Sequence, residues 1–499
     1  MMKAATLPSI AKKSPIWRQI WGQGVFLSVA LVFGNFFLPN LACASHLIDG
    51  SQMPLQWTIP FVGVLLSLAL LPLIAPTIWH RHYGKISGIW GVSSVVAVAI
   101  IYGGEAVGEQ LSHVILAEYI PFMMTIGALY TVSGGIHIKV FFEGTPRNNL
   151  LFMAFGALLA SWIGTTGAAM LLIRPFMSMN KNRHYRRHSV VFFIFLVCNV
   201  GGCLTALGDP PLFLGYLMGV HFFWPTTHLF GPFLVIALPL LCVYFGLDSL
   251  YYHREKMHAL KQPLPEAGVP PVRTSYVSIT SWHQILLFAG IIGSVIMSGS
   301  WRSGVSFSLL GTTVMAENLL RDLLLGGIIA ISLFSLNQKG RIYNDFCWEP
   351  LKEVGKIFAA IFITAAPVIA MLQAGKEGAF ATLVSNVTDS QGNAIPALYY
   401  WMTGSLSAVL DNAPTYLVFF HMAGGNAAQL MTTYATTLVA ISCGAVFMGA
   451  LTYIGNAPNF MVKAMAEKTG IQMPSFFGYI GWSIFFFVPW LLLISWYFF

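Results

Sequence analysis

The sequence predicts an all-α polytopic membrane protein, an inverted repeat of two halves that each carry a re-entrant hairpin and a broken transmembrane helix. Three observations predict it. Hydrophobic residues fill 56% of the 499 positions and charged residues only 9%, against about 25% charged in a soluble protein. Apolar runs long enough to cross a bilayer follow one another along the chain, with short basic loops between them. Two of these runs are broken by matching polar strings 247 residues apart. The first is Leu204-Thr205-Ala206-Leu207-Gly208-Asp209-Pro210-Pro211-Leu212-Phe213, and the second is Leu451-Thr452-Tyr453-Ile454-Gly455-Asn456-Ala457-Pro458-Asn459-Phe460.

In chain order, Lys12, Lys13 and Arg18 precede an apolar stretch and then Ala42-Cys43-Ala44-Ser45. Residues 1–44 therefore read either as a cleaved signal peptide or as a first transmembrane helix. The first membrane repeat, 55–252, has apolar runs at 57–79, 86–104, 114–136, 190–223 (broken) and 229–251. A polar piece at 253–282 with Pro263, Pro265, Pro270 and Pro271 reads as a cytoplasmic linker. The second repeat, 283–499, has runs at 283–299, 322–337, 356–374, 431–463 (broken) and 475–497. The less apolar stretch 300–321 reads equally as an interfacial helix or an external loop.

Basic loops set the sidedness. The loops at 80–85, 139–147, 181–187, 254–273, 339–356 and 463–468 are rich in Lys, Arg and His and read as cytoplasmic, whereas Glu105, Glu109 and Asp389 mark the outside. Segment 150–178 then starts and ends in the cytoplasm, a hairpin whose tip holds Gly164-Thr165-Thr166-Gly167. Segment 397–422 starts and ends outside, a hairpin from the opposite face broken at Asp411-Asn412-Ala413-Pro414. Thr165 and Asn412 keep the same 247-residue offset. The net charge of +8 is accounted for by these loops and implies no nucleic-acid partner. The expected partners are the lipid bilayer and small ions.

Matched polar interruptions in two halves of a membrane chain point to a binding site. Backbone N–H and C=O groups cannot be left bare in hydrocarbon, so an unwound segment survives only where protein or a wet cavity encloses it. Gly and Pro open the helix there. Asp209 and Asp411 matter most, because a carboxylate at membrane depth is costly and marks an ion or proton path; each also fits a simple helix cap. Thr165, Thr166, Thr205, Thr452, Asn199, Asn412 and Asn456 offer the neutral oxygens that an alkali cation accepts, joined by backbone carbonyls at Gly164, Gly208 and Gly455. Hydrogen bonding between helices is the plainer use of the same groups. Asp411 and Asp209 are the expected sodium ligands, with no resident cofactor: Na⁺ and H⁺ are cargo.

The remaining polar residues suggest no other chemistry. Six cysteines and thirteen histidines show no zinc-type spacing. Glu118 reads as a relay or a half-buried interfacial acid, and Arg174 as a snorkelling base. Trp57, Trp79, Trp224, Trp401 and Trp496, near run ends, read as an interfacial belt.

The paired strings LTALGDPPLFLG and LTYIGNAPNF, with TTGAA and DNAPT about forty residues upstream, resemble the ion transporter superfamily. That clan includes NhaD-type sodium:proton antiporters, arsenite permeases and citrate or dicarboxylate carriers. The resemblance runs from about residue 55 to the end. It implies an inverted-repeat fold with two re-entrant hairpins, a dimerising scaffold, a moving transport part and a multi-pass location in a bacterial inner membrane. Carboxylate carriers of the clan carry Ser-Asn-Thr at both hairpin tips. Here the second tip begins with Asp411, an anion that repels a carboxylate substrate, and its DNAP string is similar to the antiporter pattern. The expected function is therefore sodium:proton antiport by alternating access, with citrate or other organic-anion symport as the alternative. A membrane-embedded enzyme is a third reading, opposed by the absence of haem-type His pairs, nucleotide loops and His/Glu metal sites.

Overall fold

The computed structural model describes residues 49–260, 277–334, 339–344, 346–389, 391 and 393–499. The expected leader or first helix at 1–44 and the Pro-rich part of the linker lie outside the described residues. Helices of eight residues or more are numbered in chain order. The first half holds α1 (Ile59–Ile74), α2 (Pro76–His113), α3 (Ile120–Gly135), α4 (Pro146–Ile163), α5 (Thr165–Met179), α6 (Arg187–Leu196), α7 (Pro210–Leu217) and α8 (Trp224–Leu260). The second half holds α9 (His283–Ser300), α10 (Ala316–Phe334), α11 (Glu349–Gln373), α12 (Pro396–Val409), α13 (Asn412–Met422), α14 (Ala435–Met448), α15 (Ala457–Lys468), α16 (Phe476–Phe486) and α17 (Val488–Phe498). The chain is mostly helical, and five helical stretches among the described residues are long and apolar enough to cross a membrane, or six if the bent α16–α17 pair is one span.

The order of elements repeats. The helix–break–helix units α4–α5 and α6–α7 recur as α12–α13 and α14–α15. Thr165 and Asn412 open α5 and α13, and Pro210 and Ala457 open α7 and α15, at one constant offset. Proline sits in the first turn of both α7 and α15, where its missing N–H would be unbonded anyway. From Val190 on, α6 is apolar around its whole circumference, and residues 190–196 are buried, as an all-apolar helical segment must be. Phe192 packs on Tyr244 of α8 and Phe195 on Phe487, between α16 and α17.

Several boundaries differ from the sequence reading. The basic loop expected at 80–85 is helical, and the first turnover comes earlier, at Ala75 between α1 and α2. The external loop expected around Glu105 and Glu109 is also helical. The turn there is a kink at Gly103 (φ 86°), followed by a π-turn, Val114–Tyr119, that carries Glu118 into α3. Loop-forming charges mislead here because a helix tolerates them wherever they reach water. Stretch 300–321 is neither helix nor plain loop: strands β3 (Ser306–Leu309) and β4 (Thr312–Met315) form a hairpin leading into α10. Strands β1 (His137–Val140) and β2 (Val277–Thr280) pair antiparallel, His137 opposite Thr280, and clip the end of the linker to the first half. Trp57, Trp79 and Trp224 pack inside the protein rather than in an interfacial belt, whereas Trp496 is exposed.

Candidate functional site

Each hairpin tip meets the following helix break of its own half. In the first half α4 stops at Gly164, whose φ of 81° and ψ of 147° belong to glycine. The chain restarts at Thr165, whose N–H donates to the Gly208 carbonyl at 2.8 Å. Thr205 donates to the Ser161 carbonyl at 2.5 Å and accepts from the Leu207 N–H. The second half uses the same staple: Thr452 donates to the Ala408 carbonyl at 2.6 Å and accepts from the Ile454 and Gly455 N–H groups. These hydroxyls satisfy backbone groups that unwinding frees in a dry interior. Thr205 and Thr452 therefore hold the breaks in shape. The tight approach leaves no room at Gly208, where a Cβ would fall 2.1 Å from the Gly202 oxygen.

Asp209 stands where the two halves meet. It is 1% exposed, and its carboxylate accepts from Thr165 Oγ1 at 2.6 Å, from Asn456 Nδ2 at 3.2 Å and from Asn412 Nδ2 in a short bond. Thr165 and Asn412 are repeat-equivalent tips, and Asp209 and Asn456 are repeat-equivalent break residues, so both tips and the second break converge on the one carboxylate of the first. Each such bond contributes about 1.5–3 kcal/mol, but none of the donors carries charge. A buried anion without a counter-charge is far more costly than three neutral bonds repay. The site therefore has the composition of a cation or proton receptor.

An amide chain extends it. Asn456 Nδ2 also reaches Asn199 Oδ1 at 3.2 Å and the Cys198 carbonyl at 3.0 Å. Asn199 donates to Asn459 at 2.8 Å, and Asn459 donates to the Gly449 and Thr452 carbonyls. Asn412 Oδ1 is buried without a hydrogen-bond partner. That unfilled oxygen, beside a carboxylate, is a ready ligand for a hard cation. Asp411 plays a local part: it caps α13 and accepts from the Ala413 N–H at 3.3 Å.

A cavity of about 60 Å³ opens beside Asp209, between the first tip, the first break and α3. At roughly 10–15 Å³ per water this is room for a handful of water-sized groups. Thr166 lines it, as do Thr165, Gly208 and Pro210, and α3 adds Thr125, Leu129 and Tyr130. Thr125 Oγ1 is buried and unpartnered. Sequence reasoning missed Thr125, which no repeat partner singles out. It also missed Asn459, although a polar residue standing where the first half has Leu212 was a visible mismatch. Glu118 and Arg174 are not among the partners of Asp209, and no group of three or more metal-ligating His, Cys, Asp or Glu occurs among the described residues.

Residues 50–499 match the family model described as "Putative citrate transport". The chain belongs to that family. No curated protein matches it. Membership agrees with the resemblance read from the repeated strings and, with the apolar helices, identifies a multi-pass membrane protein of a transport family.

Proposed function

We propose that this member of the family is a secondary transporter that exchanges Na⁺ for H⁺ at Asp209 by alternating access. The observation that carries the reading is the buried carboxylate, held by Thr165, Asn412 and Asn456 with no basic partner among the described residues. One such group takes a proton or a cation in turn, which is the chemical minimum for antiport. Na⁺ would be held by Asp209, Asn412 Oδ1 and the hydroxyls of Thr165 and Thr166, with Asp411 adding negative charge at the second tip. The two repeats would lie in opposite orientations, with α4–α5 and α12–α13 as re-entrant hairpins entering from opposite faces, so that rocking opens the site to each side.

The test is a pH-gradient assay in everted vesicles. Adding Na⁺ should dissipate a preformed gradient, and Asp209→Asn should abolish the response without loss of protein from the membrane. A full response in Asp209→Asn would overturn the assignment.

The family's description favours a second reading, in which a cation at Asp209 presents its charge to a citrate carboxylate and the two move together. Labelled citrate uptake that needs Na⁺, with no gradient dissipation by Na⁺ alone, would favour it over antiport.

A further inference from the structure

A second polar cluster, on a different part of the molecule, holds a buried cation with no acidic partner among the described residues. Arg341 is 7% exposed. Its Nη2 donates to Ser332 Oγ at 2.8 Å and more weakly to the Thr131 carbonyl at 3.4 Å, while Nε and Nη1 have no hydrogen-bond partner. No acidic side chain forms an ion pair with it among the described residues.

Its neighbours are unpartnered as well. Ser332 donates to Gln284 Oε1 at 2.7 Å, leaving the Gln284 Nε2 amide buried and unbonded. That amide lies against Gly135 at the end of α3. Ser281 Oγ and Thr131 Oγ1 are buried without partners too, and the Ser281 carbonyl accepts from the Gln284 N–H at 2.9 Å. Three elements thus bring unused donors to one place, the end of α3, the start of α9 and the short helix Lys339–Tyr343, with Ser332 of α10 bridging Arg341 to Gln284. Buried donors without acceptors are rare in folded proteins and ask for an occupant. The occupant must be an anion with several acceptor oxygens.

The surroundings say which kind. Beside the cluster, Trp282 is 66% exposed, Leu286 60% and Ile342 75%, an apolar rim of the kind that lies in lipid. Trp is favoured at the boundary between headgroups and acyl chains. An oxyanion flanked by acyl chains would satisfy donors and rim together. Basic pockets between membrane helices take lipid headgroups in this way.

We propose that Arg341, Gln284, Ser281 and Thr131 form a binding site for the phosphate of an acidic phospholipid. Thr131 lies six residues beyond Thr125 on α3, roughly 9 Å along the helix, so the lipid would brace the helix that walls the cavity beside Asp209.

The experiment uses the full chain, delipidated in detergent, with thermal unfolding and native mass spectrometry as readouts. Phosphatidylglycerol should raise the melting temperature by several degrees and appear as a bound adduct; phosphatidylcholine and inorganic phosphate should do neither. Arg341→Met should lose the lipid-dependent rise while melting, lipid-free, no lower than the parent chain, because it removes a buried charge that lacks a partner. The double variant Gln284→Ala/Ser281→Ala, which keeps the arginine, should show a reduced rise. An undiminished rise in Arg341→Met, or equal stabilisation by phosphatidylcholine, would overturn the proposal. Stabilisation by inorganic phosphate alone would assign the cluster to a soluble oxyanion and overturn the lipid assignment.

Discussion

The two halves use one backbone plan and place their charge differently on it. At the hairpin tip, Gly164 caps α5 where Asp411 caps α13; at the helix break, Asp209 precedes α7 where Asn456 precedes α15. Each half therefore has one acid, at opposite members of the same pair of positions. The acids differ in what holds them. Asp411 accepts a bond from its own helix, whereas Asp209 collects side chains from both halves. The residues that shape the breaks, Thr205 and Thr452, are duplicated; the residue that gives the site its charge is not. The two halves thus agree in the residues that hold the breaks and differ in where the acid stands.

The largest expected effect breaks the comparison outright. Asp209→Asn should remove Na⁺-dependent gradient dissipation, and Asp209→Asn/Asn456→Asp, which returns the acid to the equivalent position in the other half, should recover part of it in the same vesicles. No recovery would mean that the two positions are equivalent in backbone only. Asn412→Ala removes a donor to a charged acceptor, worth about 1.5–3 kcal/mol, so the Na⁺ concentration for half-maximal response should rise roughly 10- to 150-fold. Asp411→Asn should do less. Asparagine caps a helix as well as aspartate does, so stability should hold and the response should weaken without vanishing. A loss as complete as that of Asp209→Asn would make Asp411 an equal partner.

Smaller still are the scaffold effects, read as thermal unfolding in detergent. Thr205→Val and Thr452→Val should each cost about 1–3 kcal/mol and should match one another, since the two staples are geometrically alike. Gly164→Ala should destabilise by about 1 kcal/mol or more through its positive φ, with no counterpart in the second half, where the equivalent Asp411 has an ordinary negative φ of −66°.

Much of this was legible in the sequence because unwinding a helix in a membrane demands unusual residues. The strings around Asp209 and Asn456 hold the points at which α7 and α15 restart, and the offset tied Thr165 to Asn412. What was not legible came from packing. The helical run through 80–85 and the kink of α2 at Gly103 leave no trace in hydropathy, because charges that end a helix and charges on a wet helix face look alike. The β3–β4 hairpin rests on eight residues of modest apolarity. Thr125 is one threonine in an apolar helix, and only the folded chain sets it across a cavity from Asp209. Sequence reasoning also placed Asp411 ahead of Asp209 as the expected ion ligand, since it could not tell a carboxylate that caps its own helix from one bonded by both halves.

The bond from Asn456 to Asp209 joins residues that the ribosome delivers far apart in time. While only the first half has emerged, Asp209 has Thr165 available and lacks both amides, which arrive with α13 and α15. The first half on its own must keep a half-dressed acid near water. Final burial of its centre waits for nearly the whole chain, which makes late assembly of the two halves a natural checkpoint in biogenesis.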